Sequence, residues 1–188
     1  MRADALVKRQ ALLEATWALM AERGPDVPLR TVAEQAGVGI GTLYRHFPTR
    51  EELVLGLLDD FGERVTAIIE DHLARWDEDP EAVWRGFVTS LADLGFGEIA
   101  FQIGPLAISS SALGVHARER RDRMITRLSR VLDAARSAGL LREDVRPEQF
   151  LVTLATLSRP LPPQVTELVP DHRRWMVEVL LRGLRAEG

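Results

Sequence analysis

The stretch GVGIGTLYRHFPTREEL, Gly37–Leu53, follows a segment with helical periodicity and carries three glycines within its first five residues. Tyr44, Arg45 and His46 then place a phenol, a guanidinium and an imidazole in consecutive positions. Pro48 ends the short helix that these residues predict, because the residue before a proline disfavours helical geometry. The stretch therefore predicts a short helix that begins beside a glycine-containing turn and carries side chains able to hydrogen-bond or stack.

Two helices are predicted before this turn. The first covers Asp4 to Glu22, where apolar residues recur at helical spacing, and Gly24 followed by Pro25 ends it. The second covers Leu29 to Ala36 and ends at Gly37, which can adopt a positive φ. Two short helices joined by a tight turn are the pattern of a helix-turn-helix, whose second helix enters the major groove of DNA.

The helix after the turn is predicted to contact DNA. Gly39 and Gly41 keep side chains away from its N-terminal end, where the backbone must approach phosphate or base edges and where an anion is favoured. Leu43 and Phe47, four residues apart, are expected to face the core. The donors that the helix offers to phosphates and base edges are Thr42, Tyr44, Arg45 and His46.

Helical patterns continue to the C-terminus, and no segment alternates in the manner of a strand, so the sequence predicts an all-α protein. Thr49 and Glu52 form a capping box at the start of a long helix that ends near Trp76. The proline-rich segment Arg159–Pro163 separates the last two helices. The other predicted helices cover Glu81–Leu94, Glu98–Leu113, His116–Ala138, Pro147–Ser158 and Pro170–Leu184.

The amino-acid composition excludes several kinds of functional site. The chain of 188 residues has no cysteine, which excludes disulfides, thiolate nucleophiles and cysteine-based zinc sites. Neither a membrane span nor a signal peptide is expected, and we place the chain in the cytoplasm. A net charge of −4 repels nucleic acid overall, but residues 1–50 hold seven basic and five acidic side chains, a small positive end on an acidic body.

The N-terminal quarter holds a series of short segments in a specific order and spacing: Arg9–Ala15, Ala21–Gly24, Leu29–Ala33, Ala36–Val38, Gly41–Phe47 and Glu51–Leu53. Together they resemble the DNA-binding domain of the tetracycline-repressor (TetR) family. The resemblance implies a homodimer of nine-helix subunits, whose last two helices form an intersubunit four-helix bundle. It also implies a small-molecule ligand in the C-terminal domain that alters the separation of the recognition helices and releases DNA. We expect a helix-turn-helix domain over residues 1–55 and a ligand-binding and dimerisation domain over residues 56–188.

The resemblance also implies which residues contact operator DNA. Two departures from the family pattern matter. Pro28 stands where serine or threonine usually precedes helix two, which leaves Asp26 as a candidate cap. Ile40 and Gly41 offer no hydrogen bond, so Ile40 can only touch a thymine methyl, and Arg45 becomes the first candidate for reading guanine. The implied DNA contacts are Arg30, Ile40, Gly41, Thr42, Tyr44, Arg45, His46 and Arg50.

Two further sites are predicted in the C-terminal domain. Aromatic and other apolar side chains of the predicted helices between Thr49 and Ala138 form either ordinary core or a pocket for a largely apolar effector, with Arg64 and Gln102 to orient it. The pocket candidates are Phe61, Trp84, Phe87, Phe96, Phe101, Met124 and Leu128. Apolar stripes on the last two helices suit a two-fold interface, although a single domain can bury such a stripe internally. The interface candidates are Phe150, Leu151, Leu154, Leu157, Trp175, Met176, Val179, Leu180, Gly183 and Leu184.

No catalytic, metal or cofactor site is expected. The histidines at 72, 116 and 172 lack metal-ligand spacing, and Gly95–Ala100 matches a dinucleotide-binding pattern without the strand that it requires. Ser109–Ser111 lacks the nucleophile elbow of a serine hydrolase. The alternatives are a small helical enzyme or ligand carrier that uses the C-terminal pocket, and a regulator that answers to a protein partner.

Overall fold

A computed structural model of the protein describes residues 2–95, 97 and 111–186. All regular structure in these residues is helical, as the periodicity predicts. No helix among them combines the length and the apolarity that a membrane crossing requires. The nine helices of the described residues are α1 (Arg2–Arg23), α2 (Leu29–Gln35), α3 (Ile40–His46), α4 (Arg50–Ala74), α5 (Pro80–Asp93), α6 (Ser111–Ser137), α7 (Pro147–Leu157), α8 (Pro163–Leu168) and α9 (His172–Leu184).

Local capping signals set several of these helix ends. The Glu52 amide donates to Thr49 Oγ1 at 3.1 Å at the start of α4, although the return bond of the predicted capping box is not formed in the described residues. At the start of α5, Asp79 Oδ1 accepts from the Ala82 amide at 3.0 Å, and Pro80 occupies the first turn, where its missing N–H has no intrahelical partner to lose.

Two predicted boundaries are wrong. Helix α6 begins at Ser111, whereas the sequence predicts a break between residues 113 and 116. Most of the predicted helix Glu98–Leu113 lies outside the described residues. The predicted start of the last helix at Pro170 is also replaced, because the short helix α8 occupies Pro163–Leu168 and α9 begins at His172. Proline at the first position of α8 is compatible with helix initiation, so the proline-rich segment starts a helix as well as separating two.

The described chain divides into two compact units. The first contains residues 2–62 and 111–120, and the second contains residues 63–95, 97 and 121–186. The division falls inside α4 and α6. The functional boundary predicted after residue 55 stays a prediction.

In the first unit, α1 packs against α2 and α3. Its core contains Leu12, Leu13 and Leu19 of α1, together with Val32 of α2 and Leu43 of α3, all at most 2% exposed. These residues recur at the spacing of one helical face, which is why short α2 and α3 are stable against α1. Arg120 in α6 also donates to Asp59 in α4 through Nη2 and Oδ2 at 2.6 Å.

In the second unit, α5 packs against α7 and α9. Three aromatic rings form the centre of this contact: Trp84 and Phe87 from α5 and Phe150 from α7. Their ring centroids lie 5.6 to 6.4 Å apart, and no ring is more than 3% exposed. The His72 ring meets the edge of Phe87 at 5.8 Å, and its Nδ1 lies 2.8 Å from the Ile68 carbonyl oxygen.

Candidate nucleic-acid interface

The turn between α2 and α3 has the geometry that the glycine pattern predicts. Gly37 adopts φ +67°, and its amide donates to the Glu34 carbonyl at 3.1 Å. The next amide, that of Val38, donates to the Ala33 carbonyl at 3.0 Å, so two carbonyls at the end of α2 are satisfied within the turn. Gly39 is then extended and precedes the first residue of α3. The turn is therefore tight, and its own amides bond two of the last carbonyls of α2.

The inward face of α3 is fixed from two sides. Leu43 is fully buried and Phe47 is 3% exposed, which confirms that both face the core. A Cβ built on Gly56 of α4 would lie only 2.7 Å from Phe47 Cε1, so the ring rests directly against the α4 backbone. Arg9 of α1 lies over the same ring, with Cζ 5.3 Å from the ring centroid. These contacts set the position of α3 relative to α1 and α4.

The outward face of α3 presents the predicted DNA residues to solvent. Tyr44 is 49% exposed and Ile40 is 40% exposed, and Gly41 and Arg45 are also exposed. Thr42 and His46 are half-buried. The Arg45 side chain folds back along its own helix, with Nη2 3.3 Å from Thr42 Oγ1. Its exposed guanidinium can leave this weak contact for a stronger acceptor.

Two more arginines of the predicted interface flank α3. Arg30 in α2 is exposed and pairs with Glu34 at 3.3 Å. Arg50 instead donates to two carbonyls of the loop between α1 and α2, that of Val27 at 2.7 Å and that of Pro25. Arg50 therefore fixes the loop that leads into α2, and its predicted contact with a phosphate stays a prediction.

The predicted cap of α2 is wrong. Pro28, and not Asp26, occupies the N-cap position, and no side-chain oxygen of the described residues caps the helix. The Pro28 carbonyl accepts from the Val32 amide at 3.2 Å, so the backbone starts the helix alone. Because Arg50 bonds the carbonyls just before α2, the loop is held without a side-chain cap.

Gly39 and Gly41 are not required by the chain's own packing. Both are exposed, and neither has a positive φ. Apart from the adjacent residues and the local helix backbone, no atom of the described residues lies within 4 Å of a Cβ built on either one. A methyl group at these positions would therefore project into open space at the N-terminal end of α3. Room for a close partner is the physical reason that remains for glycine here.

The predicted ligand-pocket residues are divided between the two units. In the first unit, Phe61 is buried and stacks on Trp17 with centroids 6.2 Å apart. In the second, Trp84, Phe87 and Leu128 are buried, Met124 is half-buried and Arg64 is exposed. Phe96, Phe101 and Gln102 lie outside the described residues. The predicted ligand site stays a prediction.

The predicted interface residues fall into two groups. Phe150, Leu151 and Leu154 are buried in the second unit of their own chain and have little surface left for a second copy. The others are exposed or half-buried: Leu157, Trp175, Met176, Val179, Leu180, Gly183 and Leu184. Exposed apolar residues that the sequence does not predict include Val152 on α7 and Val165 and Leu168 on α8.

A cleft of about 190 Å³ lies in the second unit, between α5 and α9. Trp84 is the one predicted ligand residue among those that line it. Arg85 pairs with Glu178 across the cleft, and Arg185 pairs with Glu81 at 3.0 Å. The hydrogen bond from Arg85 lowers the pKa of the Glu178 carboxyl. No group of three or more metal-ligating side chains occurs among the described residues.

The described helices and the α2–α3 arrangement define the class of helix-turn-helix DNA-binding regulators. Residues 12–57 match the family model described as "Bacterial regulatory proteins, tetR family". Residues 79–186, more than half of the chain, match "Transcriptional regulator SbtR-like, C-terminal domain". The chain therefore belongs to the tetR family, whose members are transcription regulators and not enzymes, and the resemblance drawn from its N-terminal motifs is confirmed.

Individual relatives agree with this assignment. The transcriptional repressor KstR of Mycolicibacterium smegmatis is 41% identical over 61 residues, which cover 32% of this chain and 30% of the repressor. The match thus spans less than a third of that relative's length. A TetR regulator structure from Streptomyces coelicolor is 28% identical with a TM-score of 0.66, and covers 96% of this chain and 99% of its own. One from Mycobacterium vanbaalenii is 27% identical with a TM-score of 0.68, over 98% and 99%.

Proposed function

We propose that this protein is a one-component transcriptional repressor that binds a near-palindromic operator as a homodimer. A small-molecule effector in the C-terminal domain releases it. The observation that carries the proposal is the outward face of α3, where Tyr44 and Arg45 are exposed beside glycines that the chain's own packing does not require. Because its proposed partner is operator DNA, we propose that the protein acts in the cytoplasm. The proposed binding and release of DNA involve no cofactor.

Each exposed group of the interface has a chemical role in this proposal. Arg45 reads guanine, because its two terminal nitrogens match the O6 and N7 acceptors. Ile40 touches a thymine methyl, and Thr42 and His46 donate to groups at the groove edge. Arg30, Tyr44 and Arg50 hold phosphates, which makes binding dependent on salt. For Arg50 this requires one of the N–H groups that its two bonds to the loop leave over, since a guanidinium has five.

The homodimer is supported by apolar surface on the last three helices. Trp175 and Val179 on α9 are 59% and 43% exposed, and Val152 on α7 is 65% exposed. Helix α8 buries none of its residues, and its Leu168 is 80% exposed. Exposed apolar groups on successive elements of one unit suit an isologous two-fold interface. In a dimer the recognition helices lie ~35 Å apart, one turn of DNA.

Release of the operator follows from a shift between two states of the dimer. In one state the recognition helices have the separation that DNA requires, and in the other they do not. An effector that binds the second state more tightly shifts the population towards it and releases DNA. Only this difference in affinity between the two states can cause release. The predicted pocket side chains are mainly apolar, so we propose a largely apolar effector, oriented by Arg64 and Gln102.

Selection of random duplex DNA on the purified protein, at moderate salt, tests the proposal. We expect enrichment of a two-fold symmetric motif and a dimer mass in light scattering at micromolar concentration. Replacing Arg45 with alanine is expected to weaken binding by ~1–3 kcal/mol and to relax the preference at one base pair of each half-site.

Arg45→Lys is the matched variant, because it keeps the charge and removes the planar fork that bonds guanine twice. It is expected to lose the same base preference. A folded, dimeric protein that enriches no motif, with or without candidate effectors, contradicts the proposal. An unchanged motif in Arg45→Ala would move the base contact to another residue and leave the remainder of the proposal in place.

A further inference from the structure

Arg9 in α1 has a defined position that the predicted DNA contacts do not include. Its side chain is half-buried, and its guanidinium carbon lies 5.3 Å from the centroid of the Phe47 ring. A guanidinium over an aromatic face is attracted by the electron-rich ring, and its own face is then covered. The five N–H donors lie around the edge of the guanidinium plane, so they stay available to another acceptor.

The ring beneath Arg9 is itself fixed next to the recognition helix. Phe47 directly follows α3, and its amide donates to the Leu43 carbonyl at 2.8 Å. The ring also lies against Gly56 of α4, where a built Cβ would be 2.7 Å from Phe47 Cε1. Phe47 therefore holds the Arg9 guanidinium beside the C-terminal end of α3, where Arg45 and His46 form the last turn.

Arg9 differs in its partners from two other cations of α1. Lys8 pairs with Asp4 at 2.8 Å, and Arg23 pairs with Glu22 at 3.4 Å. Arg9 makes no ion pair or side-chain hydrogen bond within the described residues, although it is less exposed than Arg23. A held cation with free donors is the form of a site for an anionic oxygen.

We propose that Arg9 contacts a phosphate of the operator backbone, with its guanidinium oriented by the Phe47 ring. The inference rests on the proposed binding of DNA by α3. In a helix-turn-helix the N-terminal residues of the recognition helix meet the base edges, so a cation beside its C-terminal end lies closer to the sugar–phosphate backbone. Arg9 thus fixes the position of the protein on the duplex and carries no base preference.

The test is the salt dependence of affinity for the duplex selected by the wild-type protein. Neutralising one phosphate contributes about 0.9 to the slope of log affinity against log salt. Arg9→Ala is expected to lower the slope by about 0.9 for each copy bound, and affinity about fivefold per copy near 0.15 M salt. The selected motif is expected to stay the same.

Three further variants separate charge, packing and fold. Arg9→Lys keeps the charge and is expected to keep most of the slope. Arg9→Met keeps an apolar stem on Phe47, which protects the fold, and is expected to lose the slope as the alanine variant does. Arg23→Ala removes the same charge from the far end of α1, about 21 Å away along the helix, and is expected to leave the slope unchanged.

Each outcome decides one point. An unchanged slope in Arg9→Ala and Arg9→Met, with a lowered melting temperature, would mean that Arg9 only clamps α1 to Phe47, and would overturn the proposal. A changed motif would overturn it as well, in favour of a base contact. If the wild-type protein selects no duplex, the proposed function is contradicted. If the protein binds a duplex but the slope is unchanged in the Arg9 variants, only the proposed contact of Arg9 is contradicted.

Discussion

The outward face of α3 and the aromatic cluster of the second unit use similar residues in opposite ways. On α3, Tyr44 is 49% exposed and Arg45 lies in solvent. In the cluster, Trp84, Phe87 and Phe150 are at most 3% exposed and contact one another. The aromatic surface of the second unit stabilises its own chain, whereas that of α3 stays available to a partner.

The difference shows what an apolar stripe can and cannot indicate. Phe150 was selected from its sequence as an interface residue and Trp84 as a ligand residue, yet the two rings stack on each other at 5.6 Å. Helical spacing indicates which residues share a face, but it does not indicate what covers that face. On α3 the structure does show that the face around Gly41 is uncovered, because no other part of the described chain lies within 4 Å of a Cβ built there.

The largest effect that we expect is on the aromatic cluster. Phe150→Ala removes a ring that is 1% exposed and leaves a cavity between α5 and α7, so we expect a loss of about 3–5 kcal/mol in the free energy of unfolding. Thr153→Ala, at an exposed position three residues on along α7, is the matched control and is expected to change it by at most about 0.5 kcal/mol.

Urea unfolding followed by circular dichroism, at several protein concentrations, measures both variants. A small loss in Phe150→Ala that appears only as a lower dimer affinity would contradict its assignment to the core. Phe150 would then belong to the dimer interface, as the sequence predicts.

Two glycine substitutions in the first unit, Gly56→Ala and Gly41→Ala, are expected to have intermediate and opposite effects on stability. Gly56→Ala places a methyl group 2.7 Å from Phe47 Cε1, and overpacking of this kind typically costs about 1–3 kcal/mol in stability. Gly41→Ala meets no atom of the described chain beyond its own turn of helix, and it replaces glycine within a helix, so stability is expected to rise by about 0.5–1 kcal/mol.

The DNA affinities of the two variants are expected to distinguish a glycine that packing within the chain requires from a glycine that DNA binding requires. In Gly41→Ala the added methyl group meets the duplex, and the overpacking cost of about 1–3 kcal/mol appears in DNA binding while the fold is intact. Thermal unfolding and a titration with the selected duplex give both quantities. Unchanged DNA affinity in Gly41→Ala would show that the open space at this end of α3 is not filled by DNA.

Local signals allowed much of the first unit to be predicted from sequence. Gly37 ends α2 with φ +67°, and Thr49 caps α4, because both depend on residues within a few positions. The inward direction of Leu43 and Phe47 follows from their spacing of four. The family of the chain was recognisable for the same reason, since its motif lies in one continuous segment.

What could not be predicted depends on residues that are far apart in sequence. The contact of Gly56 with Phe47, and of Phe47 with Arg9, requires three helices to be placed together. A glycine inside the long pattern of α4 was the one local signal for the first contact. Helix α8 was missed because it buries no residue and so has no apolar stripe to reveal it.

The smallest expected effect concerns an arginine whose charge is already satisfied, in contrast with Arg9. Arg85 and Glu178 are 93 positions apart in sequence, and their side chains pair at the surface between α5 and α9. The hydrogen bond from Arg85 lowers the pKa of the Glu178 carboxyl from 4.5. A lowered pKa in the folded state adds stability above the unfolded pKa, and this stability is lost as pH falls through the folded value.

Glu178→Gln is therefore expected to reduce the free energy of unfolding by at most about 1 kcal/mol at pH 7, since solvent screens an exposed pair. The difference from the wild-type protein is expected to shrink as pH falls below about 4, where the wild-type carboxyl also becomes neutral. Urea unfolding of both proteins between pH 7 and pH 3 measures it. A difference that is constant over this range would mean that Glu178 acts through packing and not through its charge.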